Sequence, residues 1–269
     1  MRGPTAVLGA AAVVLATAVA PLPRARAFTR ATVDGDPSTP LFWQYRTVVM
    51  RPAYDTSDDV PAESVRLAIL RAMGAWSGAG DGCSDLRFED GGYPTGLDTN
   101  GLGAARDGEN RIVWHEDEWP EELGGGTLAV TTTLYRVSTG QILDADIDVN
   151  GVGFFWTDTT EPGVADTDVQ NTMTHELGHV LGLAHAIDPE ATMYAESAPG
   201  DLEKRSLAPD DVEGLCHVYP ARLATPGAPP LYGDPLYGSC RAAPGGGGSA
   251  LALVVASALL ACGARRRAP

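Results

Sequence analysis

Basic residues are scarce in this chain: 19 lysines and arginines face 35 aspartates and glutamates over 269 residues, for a net charge of −16. The imbalance sharpens away from the ends. Arg2, Arg24 and Arg26 precede residue 28, four more arginines follow Cys240, and no acid lies in either segment. Residues 28–240 therefore carry 12 basic against 35 acidic groups, a net −23. Such a surface repels nucleic acid and anionic membrane, which excludes both as partners of the body of the chain. It is compatible with a soluble secreted domain and with bound calcium, and establishes neither. Cysteine is scarce too, with Cys83, Cys216, Cys240 and Cys262 the whole supply. No internal repeat occurs, and no apolar run comfortably reaches the roughly 20 residues that span a bilayer. No serine or cysteine is set up for a covalent acyl-enzyme.

The ends read as processing and targeting segments. Arg2 precedes an apolar run from Ala6 to Ala20, and Ala25-Arg26-Ala27 supplies a small-x-small cleavage site, so residues 1–27 are expected to be a secretory signal peptide. At the far end, residues 223–248 form a proline- and glycine-rich linker with Cys240. Residues 249–269 hold an apolar stretch from Ala250 to Ala261 followed by Arg265-Arg266-Arg267. That layout resembles the C-terminal sorting tails of certain bacteria, notably the myxobacterial type. The resemblance implies a secreted protein held at the cell envelope through its tail, with a plain hydrophobic anchor as the alternative. Residues 28–222 remain as one domain of ordinary size, expected to act as a monomer.

Only five histidines occur, and their placement is informative: three of them fall within eleven residues. His175-Glu176-Leu177-Gly178-His179-Val180-Leu181-Gly182-Leu183-Ala184-His185 reads as H-E-x-x-H-x-x-G-x-x-H. Histidines four apart on a helix share a face and can grip one metal ion. Glu176, rotated about 100° from His175, faces the side where a water would bind. Gly182 can take the left-handed conformation that ends a helix and turns the chain, bringing His185 back as a third ligand. Three protein ligands leave one position open, as catalytic zinc requires.

Ala191-Thr192-Met193-Tyr194 follows, and at this point the chain resembles the metzincin metalloproteases, whose signature couples the long zinc motif to a methionine turn. The spacing and the Met-Tyr pair are most similar to the matrixins, the matrix-metalloprotease group and its bacterial relatives. Ala186 and Ala195 depart from the serine and proline of many animal members. The resemblance covers roughly Trp43 to Tyr219. It implies an α+β metzincin fold, with a twisted mixed β-sheet, three main helices and an antiparallel edge strand over the zinc. It also implies that Met193 floors the metal site and that Leu128, Ala129 and Tyr194 contact substrate, with the strand at Leu128 and Ala129 pairing with an extended peptide. Without the resemblance, an ordinary buried strand is the reading of that stretch. No separate propeptide with a zinc-capping cysteine is expected, because chain resembling the catalytic domain begins soon after Phe28.

The rest of the chain fits around this site. A strand is expected over Trp43–Met50, and a helix from Pro61 with Val65, Ile69, Met73 and Trp76 on one apolar face. Short strands at Leu86–Glu89 and Arg111–Trp114 precede a hairpin of Thr127–Val137 with Ile142–Asn150. Asp144, Asp146 and Asp148 alternate along the second hairpin strand. A solvated face is the preferred reading and calcium the alternative. The Asp98–Gly101 loop is a weaker calcium candidate, and His115 lacks a partner histidine for a second zinc. Asp166 and Asp168 are candidate caps for the motif helix. A last helix starts at Pro209 and packs through Val212, Leu215 and Val218. In an oxidising compartment Cys83 and Cys216, the only cysteines inside the domain, are expected to pair.

The expected activity is zinc-dependent hydrolysis of internal peptide bonds in a protein or peptide substrate, with Glu176 as general base. Two rivals stand beside it: a silent zinc-containing module of the envelope that binds peptides without cutting them, and a structural protein whose histidines close a zinc site.

Overall fold

The computed structural model describes residues 28–94, 107–159, 166–223, 225 and 255–261. The signal segment, the Asp98–Gly101 loop, nearly all of the linker with Cys240, and the terminal arginines lie outside them. Thr29–Arg30 (β1) and Phe42–Trp43 (β2) open the fold, followed by Thr47–Pro52 (β3) and the helix Ala62–Ala79 (α1). Arg87–Asp90 (β4), Asn110–His115 (β5), Thr127–Tyr135 (β6) and Gln141–Asn150 (β7) continue the sheet. Trp156–Thr157 (β8) pairs with Thr167–Asp168 (β9), which leads into the motif helix Val169–Val180 (α2). Leu183–Ala184 (β10), Glu196–Ser197 (β11), Pro209–Val218 (α3) and Val255–Ala261 (β12) complete the chain order.

One sheet runs β11-β12-β6-β7-β5-β3-β4, with β2 paired to β7. Only β6 runs antiparallel to its neighbours: it pairs that way with β7 on one side and β12 on the other, and the remaining pairs are parallel. The hairpin arises because β-branched residues crowd Thr127–Tyr135 while Ser138, Thr139 and Gly140 break the run, Gly140 in a left-handed conformation (φ 75°). The sheet, three helices and antiparallel edge are those of a metzincin fold.

α1 buries Val65, Ile69, Met73 and Trp76, the stripe its spacing implies, together with Ala68 and Ala72. Sheet residues such as Met50, Ile112 and Ile147, all at most 1% exposed, belong to the same core cluster. The single strand expected over Trp43–Met50 is two strands. Its first half is drawn towards the end of α2, where Trp43 Nε1 donates to the Val180 carbonyl (2.7 Å) and the Trp43 amide to the Tyr219 hydroxyl (3.1 Å). Its second half pairs with β4 and β5. A disulfide joins Cys83, in the turn after α1, to Cys216 on α3, with Cα atoms 5.3 Å apart.

Asp144, Asp146 and Asp148 do not form a solvated face: each is at most 5% exposed. Both faces of β7 are covered, and hydrogen bonds compensate the buried carboxylates. Asp146 accepts from the Arg111 amide (2.7 Å), Asp148 lies 2.8 Å from His115 Nε2, and Asp144 accepts from the Ala145 amide (3.0 Å). Burial, chiefly, raises the Asp144 pKa to about 6.

The apolar C-terminal stretch contributes β12, added along the free edge of β6. Among the described residues no helix is long and apolar enough to cross a membrane.

Candidate active site

α2 begins where Asp168, in extended conformation, turns its carboxylate back to accept from the Asn171 amide (2.7 Å). Asp168 also receives the guanidinium of Arg205 (Nε to Oδ1 2.8 Å), which ties the cap to the loop before α3. Asp166 caps nothing here; its carbonyl accepts from the Gly200 amide. The helix ends at Val180, and Gly182 reverses the chain with φ 79°. A Cβ at Gly182 would lie 2.9 Å from the Leu41 carbonyl oxygen, so both the backbone angle and the close approach require glycine. The returning chain is pinned as β10 against β1, which brings His185 over the helix.

The three rings meet. His179 Nε2 lies 3.1 Å from His175 Nε2 and 3.2 Å from His185 Nε2. Nitrogens held tetrahedrally at about 2.05 Å from zinc stand roughly 3.3 Å apart, so these spacings suit a single shared ion. The outer nitrogens fix the tautomers. His175 Nδ1 faces the Thr192 carbonyl (2.6 Å) and His179 Nδ1 the Leu183 carbonyl (2.8 Å). A carbonyl can only accept, so each Nδ1 carries the proton and each Nε2 offers its lone pair inward. Burial first, and neighbouring histidines second, hold the His175 pKa well below the ordinary imidazole range and that of His179 at about 3. Both rings are thus neutral, as ligands must be. Among the described residues this trio is the only group of three or more acidic, histidine or cysteine side chains able to converge on an ion.

Glu176 is fully buried, and its Oε2 accepts from the Thr131 hydroxyl of β6 (2.6 Å). Beneath the helix Met193 is 2% exposed. A Cβ at Gly178 would lie 2.2 Å from the Met193 sulfur and 2.8 Å from Trp76, so glycine there lets the helix settle on that floor. Trp76 also donates to the Thr174 carbonyl (2.7 Å), locking α1 to α2 at the same level.

The segment around Met193 is held by residues that sequence reading passed over. Asp211, at the start of α3, accepts from the amides of Thr192 (2.8 Å), Met193 (3.1 Å) and Ala208 (2.9 Å). Since the Thr192 carbonyl receives His175, this one carboxylate positions a candidate ligand through the backbone. Lys204, 4% exposed, donates to the carbonyls of Tyr194 (2.5 Å) and Glu196 (2.8 Å). Burial lowers its pKa to about 8, against the opposing pull of Asp201 and Glu176. An aspartate in the first turn of a helix was the visible signal for Asp211; nothing in the sequence marked Lys204 or Thr131. Leu128 and Ala129 are buried on β6, and the Tyr194 side chain is half-buried beside Lys204.

Comparison with known proteins agrees with this geometry. The family profile described as Matrixin matches residues 42–220. Human "Matrilysin" is 35% identical over 108 residues, 40% of this chain and 37% of that protein. Human "Matrix metalloproteinase-25" is 28% identical over 193 residues, 68% and 31% respectively. Rat "Matrilysin" is 32% identical over 186 residues, 69% and 61%. The chain thus spans from about a third to about three fifths of the length of these relatives.

Proposed function

Since the chain belongs to the matrixin family, we propose that it is a zinc-dependent endopeptidase acting on extended peptides. One observation carries the reading: three Nε2 atoms converge within reach of one ion beside a buried carboxylate. His175, His179 and His185 would hold zinc, which when bound supplies a Lewis acid that acidifies water and polarises a carbonyl. The remaining work falls to the chain's own groups. The edge of β6 at Leu128 and Ala129, along which β12 pairs, carries the backbone donors and acceptors to which an extended peptide can bind antiparallel with little regard to its sequence. Tyr194 lines the same groove. Glu176 takes a proton from the attacking water and returns it to the leaving amine. Thr131 fixes the orientation of that carboxylate, and Met193 supports the ligand helix from below.

The 1–27 segment and the Cys83–Cys216 disulfide together support export to an oxidising compartment, where such a bond persists. The 249–269 segment supports retention at the envelope. Calcium enters this reading only as a candidate structural ion and takes no part in the chemistry.

The test compares zinc content with cleavage of casein or gelatin, before and after chelation, for the native chain and Glu176→Ala. We expect equal zinc in both, reversible loss of activity on chelation, and about 100- to 10,000-fold slower cleavage by the variant. A native chain that binds zinc yet cuts nothing in a broad peptide library would be a binding module instead. A variant as active as the native chain would remove Glu176 from the mechanism.

A further inference from the structure

The strand that completes the sheet comes from the chain's own tail. Val255–Ala261 runs antiparallel to β6, with Val255 opposite Thr133, Ser257 opposite Thr131, Ala258 opposite Val130 and Leu259 opposite Ala129. Beyond an irregularity, Leu260 faces Thr127 on that side and Glu196 on the other, while Ala261 faces Ser197 in parallel register. The tail is therefore inserted between the β6 edge and the segment that follows Met193. It also packs against α2, the helix bearing His175 and Glu176. Thr131, whose hydroxyl holds Glu176, is the partner of Ser257, so the strand crosses at the level of the reactive carboxylate.

We infer that residues 255–261 are an internal occupant of the peptide groove, which excludes substrate until the tail is withdrawn or removed. This rests on the peptidase reading for what the groove binds. A sheet edge has one row of backbone donors and acceptors, and a second strand cannot use the row that β12 already fills. Composition and charge favour the docking. Val255–Ala261 carries no charge, and the arginines that follow in sequence are opposite in sign to the net −23 of residues 28–240. The tether is permissive: residues 226–254 number 29 and could extend up to about 100 Å. Tethering supplies an effective concentration on the order of a millimolar, so a strand of weak intrinsic affinity still occupies its site. Engagement of the tail by a membrane, or a cut in the linker, would then open the groove.

The experiment uses the full chain with Ala258→Pro and Leu259→Pro together, which removes the N–H groups of two successive residues, one of them directed at β6, and breaks the strand. For a fluorogenic extended peptide, KM should fall by about tenfold while kcat is unchanged. A synthetic peptide of residues 252–264 should restore the higher KM by competitive inhibition. In a Glu176→Ala background, amide hydrogen exchange across 127–133 should be faster when the prolines are present. Unchanged KM together with unchanged exchange overturns the proposal. Exchange that differs while the chains retaining Glu176, with and without the prolines, cleave no peptide supports the docked tail and sinks the peptidase reading, so the two failures are separable.

Discussion

The two long helices pack against each other, yet each is buried in its own way. α1 turns one apolar stripe inward and leaves residues such as Glu63 and Arg71 to solvent. α2 buries every residue except Gln170, among them Asn171, Thr172, Thr174, His175, Glu176 and His179. For α1, area removed from water suffices as an explanation. For α2 it does not, because each buried polar group left unmatched costs about 1–3 kcal/mol. The compensation comes from elements scattered along the chain: Thr131 on β6, the carbonyls of Thr192 and Leu183, Ser197 and the Lys204 amide to Asn171. The Thr172 hydroxyl alone among these named groups finds no partner among the described residues, and the rest form the held, desolvated set that a metal site and a general base both require.

The contrast can be broken from either side. The largest effect is expected for His179→Ala: zinc content falls towards zero and cleavage to background while far-ultraviolet circular dichroism stays native. On α1, Ile69→Ala should cost about 3 kcal/mol of unfolding free energy by creating a cavity. Zinc stoichiometry and kcat of the folded fraction should stay unchanged, measured by denaturant titration and metal analysis. Asp211→Ala belongs with α2 although it lies on α3. It leaves the buried amides of Thr192 and Met193 and the part-buried amide of Ala208 without their acceptor, so about 2 kcal/mol of stability should be lost, and zinc affinity should weaken about 10- to 100-fold through the displaced Thr192 carbonyl. An unaltered zinc affinity there would show that the backbone relay does not orient His175.

The smallest effect concerns acid and the metal-free chain. His175 and His179 have folded pKa values below the unfolded imidazole value of about 6.5, so the unfolded state binds more protons as pH drops. Stability is therefore highest above pH 6.5 and declines below it, down to about pH 3 for His179. Between pH 6.5 and 5.5, His179 alone should cost about 1 kcal/mol. Asp144, with its pKa raised to about 6, takes up a proton in the same window and offsets part of this loss; a midpoint of thermal unfolding that stays flat in an Asp144→Asn chain would contradict neutral, buried rings.

Legibility in the sequence follows the same division. The α1 stripe, the hairpin and the histidine spacing are local, written in periods of 3.6, 2 and 4, and could be read directly. Asp144, Asp146 and Asp148 misled because alternation signals one wet face, whereas β7 is covered on both sides by elements far away in the chain. Thr131 lies 45 residues from Glu176, and Asp211 lies 19 from Thr192. Such pairs leave no local pattern. The tail was legible as apolar and uncharged, but its antiparallel register on β6 depends on backbone groups that every residue carries.

X-ray absorption at the zinc edge, on the reconstituted native chain, addresses the central claim most directly. Three nitrogen neighbours at about 2.0–2.1 Å and one exchangeable oxygen are the expected shell. A shell containing sulfur at about 2.3 Å, or four protein nitrogens with no exchangeable position, would contradict an open site built by His175, His179 and His185.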